Sequence, residues 1–248
     1  LKEEGEEKLA GKLQAVQDKQ TEQLRTVEGN WLVIGDKSGS MSHTIELARR
    51  VAGVLAGAVR GSVYLVFTDT DPRPVGDVSG KSLATIDMAT AAVVASGGTS
   101  LGAALKYARA QNWQVDGIAL VSDGAENTHP QLAAEYAQYY AEAERAGRRT
   151  PTVYWYRTAP DRDHRTPLWV MEFQRTMAAA RADMTVFDLM AGTDEYALPN
   201  LVQTMRAGKY SLLDEIMSTR LRTLDEVLPR TVGMEVLGGA GSPNRVAG

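Results

Sequence analysis

The chain has 248 residues, of which 44% are hydrophobic and 23 are glycine, as is ordinary for one α/β domain with short additions. A formal net charge of -4 gives no sign of a sequence-independent nucleic-acid binder, and the lack of cysteine excludes disulfides, zinc-thiolate sites and cysteine nucleophiles. Because no apolar run reaches the roughly 20 residues of a membrane span, we expect a soluble, cytoplasmic protein.

Residues 1–28 carry a pattern typical of an amphipathic helix. The segment is rich in Glu, Lys and Gln, and Gly29 and Asn30 end it. A stripe at steps of three and four, apolar except for Gln20, runs through Leu9, Leu13, Val16, Gln20, Leu24 and Val27. This stripe either packs on the domain that follows or forms a short coiled-coil arm, which about three heptads would make only marginally stable.

Strand and helix patterns alternate after this segment, which indicates one domain over residues 29–195. Strands are predicted at residues 31–36, 63–67, 118–122, 152–157 and 184–189. Helices are predicted at residues 42–60, 82–95, 101–111, 131–146 and 166–181. Proline has no N–H to donate, so Pro72 and Pro74 exclude a central strand, and residues 74–79 are predicted as an edge strand or a loop. Elements of this length in alternation predict a doubly wound, mostly parallel sheet with helices on both faces.

The end of the chain continues with helical patterns. Residues 196–229 predict two C-terminal helices, at about 197–206 and 209–228, which pack on the domain or extend it. The glycine-rich residues 230–248 are predicted to be a flexible tail.

Oxygen-bearing side chains occur in three loops of the predicted domain. Asp36, Ser38 and Ser40 alternate directly after the first strand, Thr99 ends a Gly-Gly-Thr turn, and Asp123 follows the strand at 118–122. In a doubly wound sheet, loops at the carboxyl ends of neighbouring strands converge on one crevice. A hard cation such as Mg²⁺ prefers oxygen ligands and keeps several waters. These residues therefore predict a divalent-cation site, although turn and cap residues without an ion would show a similar pattern.

Other residues in these loops have predicted roles, at the start of the helix at 101–111 and after Asp123. Thr99 or Ser100 is expected to cap the helix at 101–111. Glu126 is expected either at the rim of the site or in a solvated loop.

The five oxygen-bearing residues resemble the metal-ion-dependent adhesion site of von Willebrand factor A domains, whose pattern is D-x-S-x-S, a threonine and an aspartate. The resemblance covers about residues 31–190. It implies a Rossmann-like fold: a central, mostly parallel sheet with one short antiparallel edge strand and flanking helices. It also implies that Ser38, Ser40 and Thr99 contact the metal directly or nearly so, while Asp36 and Asp123 act mainly through bound waters.

The resemblance implies a protein-binding module rather than an enzyme. A bound Mg²⁺, or Mn²⁺ or Ca²⁺, would receive an Asp or Glu of a partner protein, within an intracellular complex. The run from Phe67 to Pro130 looks most like the intracellular bacterial branch, including the A domain of Ro-type ribonucleoproteins. The separate ring that holds RNA in Ro proteins has no match here, so we expect no direct nucleic-acid binding. Lys37, at the variable position of the motif, either tempers anionic ligands or points to solvent.

Two other functions remain open at this point. Asp69 and Asp71 follow the second strand and loosely resemble the start of haloacid-dehalogenase-like phosphoryl-transfer enzymes, in which Asp69 would be the nucleophile and Mg²⁺ would lie nearby. The Pro72-Arg73 pair departs from that pattern. The second alternative is a structural subunit of an assembly with an unused metal motif. It would make its contacts through the stripe within residues 1–28 and through Leu212, Leu213, Ile216, Leu221 and Leu224.

Overall fold

A six-stranded sheet organises the part of the chain that the computed structural model describes, namely residues 27–39, 41–158 and 167–189, without the side chains of His43 and Leu189. The strands are β1 (Trp31–Asp36), β2 (Val63–Thr68), β3 (Pro72–Asp77), β4 (Gly117–Ser122), β5 (Thr152–Thr158) and β6 (Met184–Leu189). The helices are α1 (Ser42–Ala58), α2 (Leu83–Thr90), α3 (Gly102–Ala110), α4 (Leu132–Arg145) and α5 (Leu168–Ala179).

The strands lie in the order β3-β2-β1-β4-β5-β6, and every neighbouring pair is parallel except β2 with β3. The chain moves outward from β1 in one direction, to β2 and β3, and then in the other direction from β4 to β6. Loops on the two sides of this reversal therefore meet at the carboxyl ends of β1 and β4. The predicted fold class, a doubly wound and mostly parallel sheet with one antiparallel edge strand and flanking helices, is confirmed.

Helices cover both faces of the sheet, because side chains alternate along each strand. On one face, Val33 and Phe67 pack with apolar residues of α1 and with Ile86 of α2. On the other face, Ile34 and Trp155 pack with apolar residues of α3, α4 and α5. The central strand β1 is buried along its whole length, as expected for a parallel strand between two helical layers. This burial makes the carboxyl end of β1 a rigid support for the loop that follows it.

The edge strand β3 begins earlier than predicted. It spans Pro72–Asp77 and pairs antiparallel with β2, with Pro72 opposite Thr68 and Pro74 opposite Val66. Both prolines thus belong to the strand. An edge strand tolerates them because it pairs with a neighbour on one side only, so a missing N–H on the other side breaks no bond of the sheet. The antiparallel edge strand that the family resemblance implies is therefore present at this position.

Helix α2 is shorter than the predicted helix at 82–95. Its N-cap is Ser82, whose side chain accepts a hydrogen bond from the Thr85 N–H. The helix ends at Thr90, where the hydroxyl bonds back to the Ile86 carbonyl at 2.8 Å. The next residues include the β-branched pair Val93 and Val94, which have low helix propensity. The predicted continuation to residue 95 is wrong for this reason.

Several predicted segments lie outside the described residues. These are residues 1–26 of the N-terminal helix, the C-terminal helices over 196–229 and the tail over 230–248, so the domain limits of 29–195 stay a prediction. Of the first segment, Val27 is described and forms a parallel bridge with Val59. In the described ranges there is no helix with the length and apolar character needed to cross a membrane.

Candidate metal-binding site

Asp36 and Asp123 lie side by side at the carboxyl edge of the sheet. Strands β1 and β4 are parallel neighbours in register, with Gly35 opposite Val121, so Asp36 at the end of β1 lies next to the end of β4. The Ser122 hydroxyl donates to Asp36 Oδ2 at 2.7 Å, and Asp123 is the next residue. Both aspartates are buried. The predicted convergence of these two loops is thus present in the structure.

Both carboxylate oxygens of Asp36 are held by the protein. Oδ2 accepts from Ser122, and Oδ1 accepts from the Ser38 N–H at 2.9 Å. The second bond turns the loop back towards the end of β1. A carboxylate fixed in this way on two sides is oriented in advance, and it can still accept a hydrogen bond from a metal-bound water through its remaining lone pairs.

The Ser38 hydroxyl is buried without a partner. The residue is 4% exposed, and its hydroxyl lies close enough to the Asp36 carboxylate to act to lower the pKa of that group, but its Oγ has no hydrogen bond of normal geometry with the described part of the protein. A buried polar group left unpaired costs about 1–3 kcal/mol. An unpaired hydroxyl near the buried Asp36 carboxylate, which in turn lies next to Asp123, is a donor set that suits a hard divalent cation, which favours oxygen ligands. The residues present therefore fit such an ion.

Thr99 is held between the loops that follow β1 and β4. The Gly39 N–H donates to the Gly97 carbonyl at 3.3 Å, which joins the first loop to the Gly-Gly-Thr turn. The Thr99 N–H donates to Asn127 Oδ1 at 2.8 Å, and the Thr99 carbonyl accepts from the N–H groups of Asn127 and Thr128 at 3.1 and 3.0 Å. Thr99 is buried. The loops that carry Asp36, Ser38, Thr99 and Asp123 thus contact one another, while Ser40 lies outside the described residues.

Glu126 caps two helices, a role that the sequence analysis missed. Its Oε1 accepts from the N–H groups of Leu101 and Gly102 at the start of α3, at 2.9 and 3.3 Å. The same oxygen accepts from the Leu132 N–H at the start of α4, at 2.9 Å. The prediction that Thr99 or Ser100 caps α3 is wrong: the N-cap position is Leu101, and the Ser100 hydroxyl donates to the Pro130 carbonyl at 2.7 Å. Glu126 therefore ties the Thr99 loop to the Asp123 loop.

Burial raises the pKa of Glu126 to about 7 from an ordinary value of 4.5, and the charge of Asp36 adds to the rise, although the amide hydrogen bonds act in the opposite direction. Between pH 4.5 and about pH 7, Glu126 therefore keeps its proton in the folded protein but loses it in the unfolded chain. We expect the free energy of unfolding to fall as the pH rises through this window. Urea denaturation from pH 5 to pH 8 measures the slope. The free energy of unfolding of Glu126→Gln should depend less on pH than that of the wild type. Equal slopes would show that Glu126 does not titrate in this range.

Lys37 points to Asp69 and not to solvent. The two residues are 8% and 7% exposed, and the Lys37 ammonium forms an ion pair with Asp69 Oδ2. Asp69 Oδ2 also accepts from the Ser96 hydroxyl at 3.1 Å, and Asp69 Oδ1 accepts from the Asp71 N–H at 3.0 Å. Burial alone would raise the pKa of Asp69, but the hydrogen bonds from Asp71, Lys37 and Ser96 lower it. Asp69 is therefore an ionised partner of Lys37, whereas Asp71 is exposed.

The two buried carboxylates give the site its electrostatic character. Burial raises the pKa of Asp36, and the charge of Asp123 contributes to this rise. Burial also raises the pKa of Asp123, one oxygen of which accepts from the Ala125 N–H at 2.9 Å. A cation would offset both effects. Among the described residues no group of three His, Cys, Asp or Glu could hold a metal, so a metal here would depend on hydroxyl ligands.

Comparisons with known proteins bear on the fold. No protein-family model matches the sequence, and the curated proteins contain no match to it. Among solved structures, the conserved hypothetical protein BatB from Bacteroides thetaiotaomicron is 17% identical over 75% of this chain and 100% of that chain, with a TM-score of 0.50. Proximal thread matrix protein 1 from the mussel byssus is 14% identical over 73% of this chain and 47% of that chain, also with a TM-score of 0.50.

A von Willebrand factor type A structure from Catenulispora acidiphila is 20% identical over 73% of this chain and 42% of that chain, with a TM-score of 0.49. At such identities a structural likeness concerns the fold alone. The domain has the α/β fold of the von Willebrand factor A type that the sequence predicts. The metal site and the Ro-type subclass stay predictions.

Proposed function

We propose that this domain is a metal-ion-dependent protein-binding module. In this proposal Ser38, Ser40 and Thr99 hold a divalent cation, Mg²⁺ or alternatively Mn²⁺ or Ca²⁺, while Asp36 and Asp123 act mainly through bound waters. An Asp or Glu of a partner protein completes the site. The observation that carries the proposal is the buried Ser38 hydroxyl, which has no hydrogen-bond partner in the described part of the chain and lies beside the Asp36 carboxylate.

The chemistry of the donors supports binding of an anionic group. Neutral hydroxyl ligands leave the charge of a divalent cation only partly compensated, and the cation therefore attracts a further carboxylate. The hydrogen bonds of Asp36 to Ser38 and Ser122 orient its carboxylate before any ion arrives. The site needs no nucleophile or general base for this role.

The phosphoryl-transfer alternative finds no support in the contacts of Asp69. Lys37 and Ser96 engage Oδ2 and the Asp71 N–H engages Oδ1, which is the environment of a buried counter-ion for an ammonium. The assembly-subunit alternative depends mainly on residues outside the described ranges. It is compatible with the proposed function.

The Ser38→Ala variant tests the proposal directly. We expect wild type to bind one Mg²⁺ or Mn²⁺ in titration calorimetry, and Ser38→Ala to lose this binding. Because the hydroxyl has no hydrogen bond of normal geometry to lose, the free energy of unfolding of the variant in EDTA should stay within about 1 kcal/mol of the wild-type value. Wild type should also retain a Glu-containing peptide in Mg²⁺ but not in EDTA, and the variant should retain it in neither.

Ser100→Ala is the matched control. It also removes a buried hydroxyl, but this hydroxyl donates to the Pro130 carbonyl. We expect it to lower the free energy of unfolding by about 1–2 kcal/mol while metal binding persists. A wild type that binds no ion, even with acetate added to complete the site, would rule out the proposed function.

A further inference from the structure

We infer that Asp69 is a positioning residue for the candidate metal site, and that it acts by neutralising the positive charge of Lys37. Lys37 lies in the chain between Asp36 and Ser38, two residues of the proposed site. The inference rests on the proposed function, since it concerns how the same site tolerates a buried cationic side chain.

The position of Lys37 is fixed at both its backbone and its side chain. The Lys37 N–H donates to the Thr68 carbonyl at 2.9 Å, and the Lys37 carbonyl accepts from the Ser96 N–H at 2.8 Å. The residue is buried, and its ammonium pairs with Asp69 Oδ2. A rotamer of Lys37 that exposes the ammonium to solvent would break this pair and leave Asp69 buried without its counter-charge. That rotamer is therefore unfavourable.

A fixed ammonium in this place would oppose a bound cation. Asp69 Oδ2, the partner of the ammonium, would lie 3.4 Å from a Cβ added at Gly97, and the Gly97 carbonyl accepts from the Gly39 N–H. The ammonium therefore lies beside the loops that would hold the ion. Buried charges are screened much less than exposed ones, and the repulsion between an ammonium and a divalent ion at this range is large enough to weaken binding by tenfold or more. Asp69 removes this penalty because its carboxylate makes the buried pair electrically neutral.

Asp69 also contacts the loop that leads to Thr99. The Ser96 hydroxyl donates to its side chain, and the Ser100 N–H donates to its backbone carbonyl at 2.6 Å. These two contacts would also suit a purely mechanical anchor. The two roles differ in one consequence: a neutralising residue becomes dispensable when Lys37 loses its charge, whereas an anchor does not.

The test is a double-mutant cycle with Mn²⁺ as the probe, measured by titration calorimetry on wild type, Asp69→Asn, Lys37→Met and the double variant. The asparagine keeps Oδ1 as an acceptor for the Asp71 N–H, and its amide NH2 can donate to the Ser96 hydroxyl, but it has no charge to balance Lys37. We expect Asp69→Asn to weaken Mn²⁺ binding at least about tenfold and Lys37→Met to bind as tightly as wild type or more tightly. The double variant should return to within about threefold of wild type.

The control is Ser96→Ala, which removes one contact of Asp69 without changing any charge. It should leave Mn²⁺ affinity within about threefold of wild type. Melting curves in EDTA check that each variant folds. If Asp69→Asn does not fold, the Mn²⁺ affinity of Lys37→Met is the deciding measurement. Tenfold weaker binding by Lys37→Met than by wild type would overturn the inference.

The outcomes separate this inference from the proposed function. If wild type binds Mn²⁺ and the double variant binds no better than Asp69→Asn, the neutralising role is wrong and the proposed function stands. If wild type binds no Mn²⁺ even with acetate added to complete the site, both are overturned.

Discussion

Glu126→Ala is expected to lower the free energy of unfolding by about 4 kcal/mol, because three buried amides lose their acceptor at once. The amides of Leu101 and Gly102 begin α3, and the amide of Leu132 begins α4. Domains of this size are stable by about 5–15 kcal/mol, so the loss would be a large fraction of the total. Urea denaturation followed by circular dichroism and tryptophan fluorescence measures it.

Glu126→Gln is the matched control for this variant. The amide oxygen of glutamine can take the place of Oε1, which accepts from all three amides. We expect this variant to lose less than half as much stability as Glu126→Ala. If the alanine variant loses under about 1 kcal/mol, Glu126 does not cap the two helices in solution.

Gly124→Ala is expected to lower the free energy of unfolding by about 3 kcal/mol. Gly124 has a φ of 79°, in the left-handed region that favours glycine. A Cβ at this position would lie 2.5 Å from Cζ2 of Trp155, a fully buried ring whose indole N–H donates to the Ser122 carbonyl at 2.9 Å. The ring cannot move without disturbing the end of β4. We therefore expect weaker Mg²⁺ binding as well, since Asp123 is the preceding residue.

Gly147→Ala separates the two causes of this loss. Gly147 also has a left-handed φ, of 62°, but a Cβ added there would meet no atom within 4 Å. This variant therefore carries the conformational cost alone, about 1 kcal/mol. Equal losses for the two alanine variants, measured by the same urea denaturation, would show that Trp155 yields to the added carbon.

The fold and the convergence of the loops after β1 and β4 follow from short-range patterns. Buried apolar runs mark β1 and β4, and parallel pairing of these strands then brings Asp36 and Asp123 together. Contacts between distant residues carry no such pattern. Lys37 and Asp69 are 32 residues apart, and Glu126 is 25 residues from Leu101. These partners depend on strand order and on the path of each loop, which periodicity and capping preferences do not specify.

The prolines of β3 also bear on how the domain behaves at high concentration. An exposed sheet edge is a template on which another chain can add a strand and begin to aggregate. Pro72 and Pro74 have no N–H groups, so part of this edge offers an incoming strand no donor. The strand also ends at a charged residue, Asp77, after Gly76. The domain can therefore be crowded with other copies of itself while this edge resists the strand addition that leads to fibres.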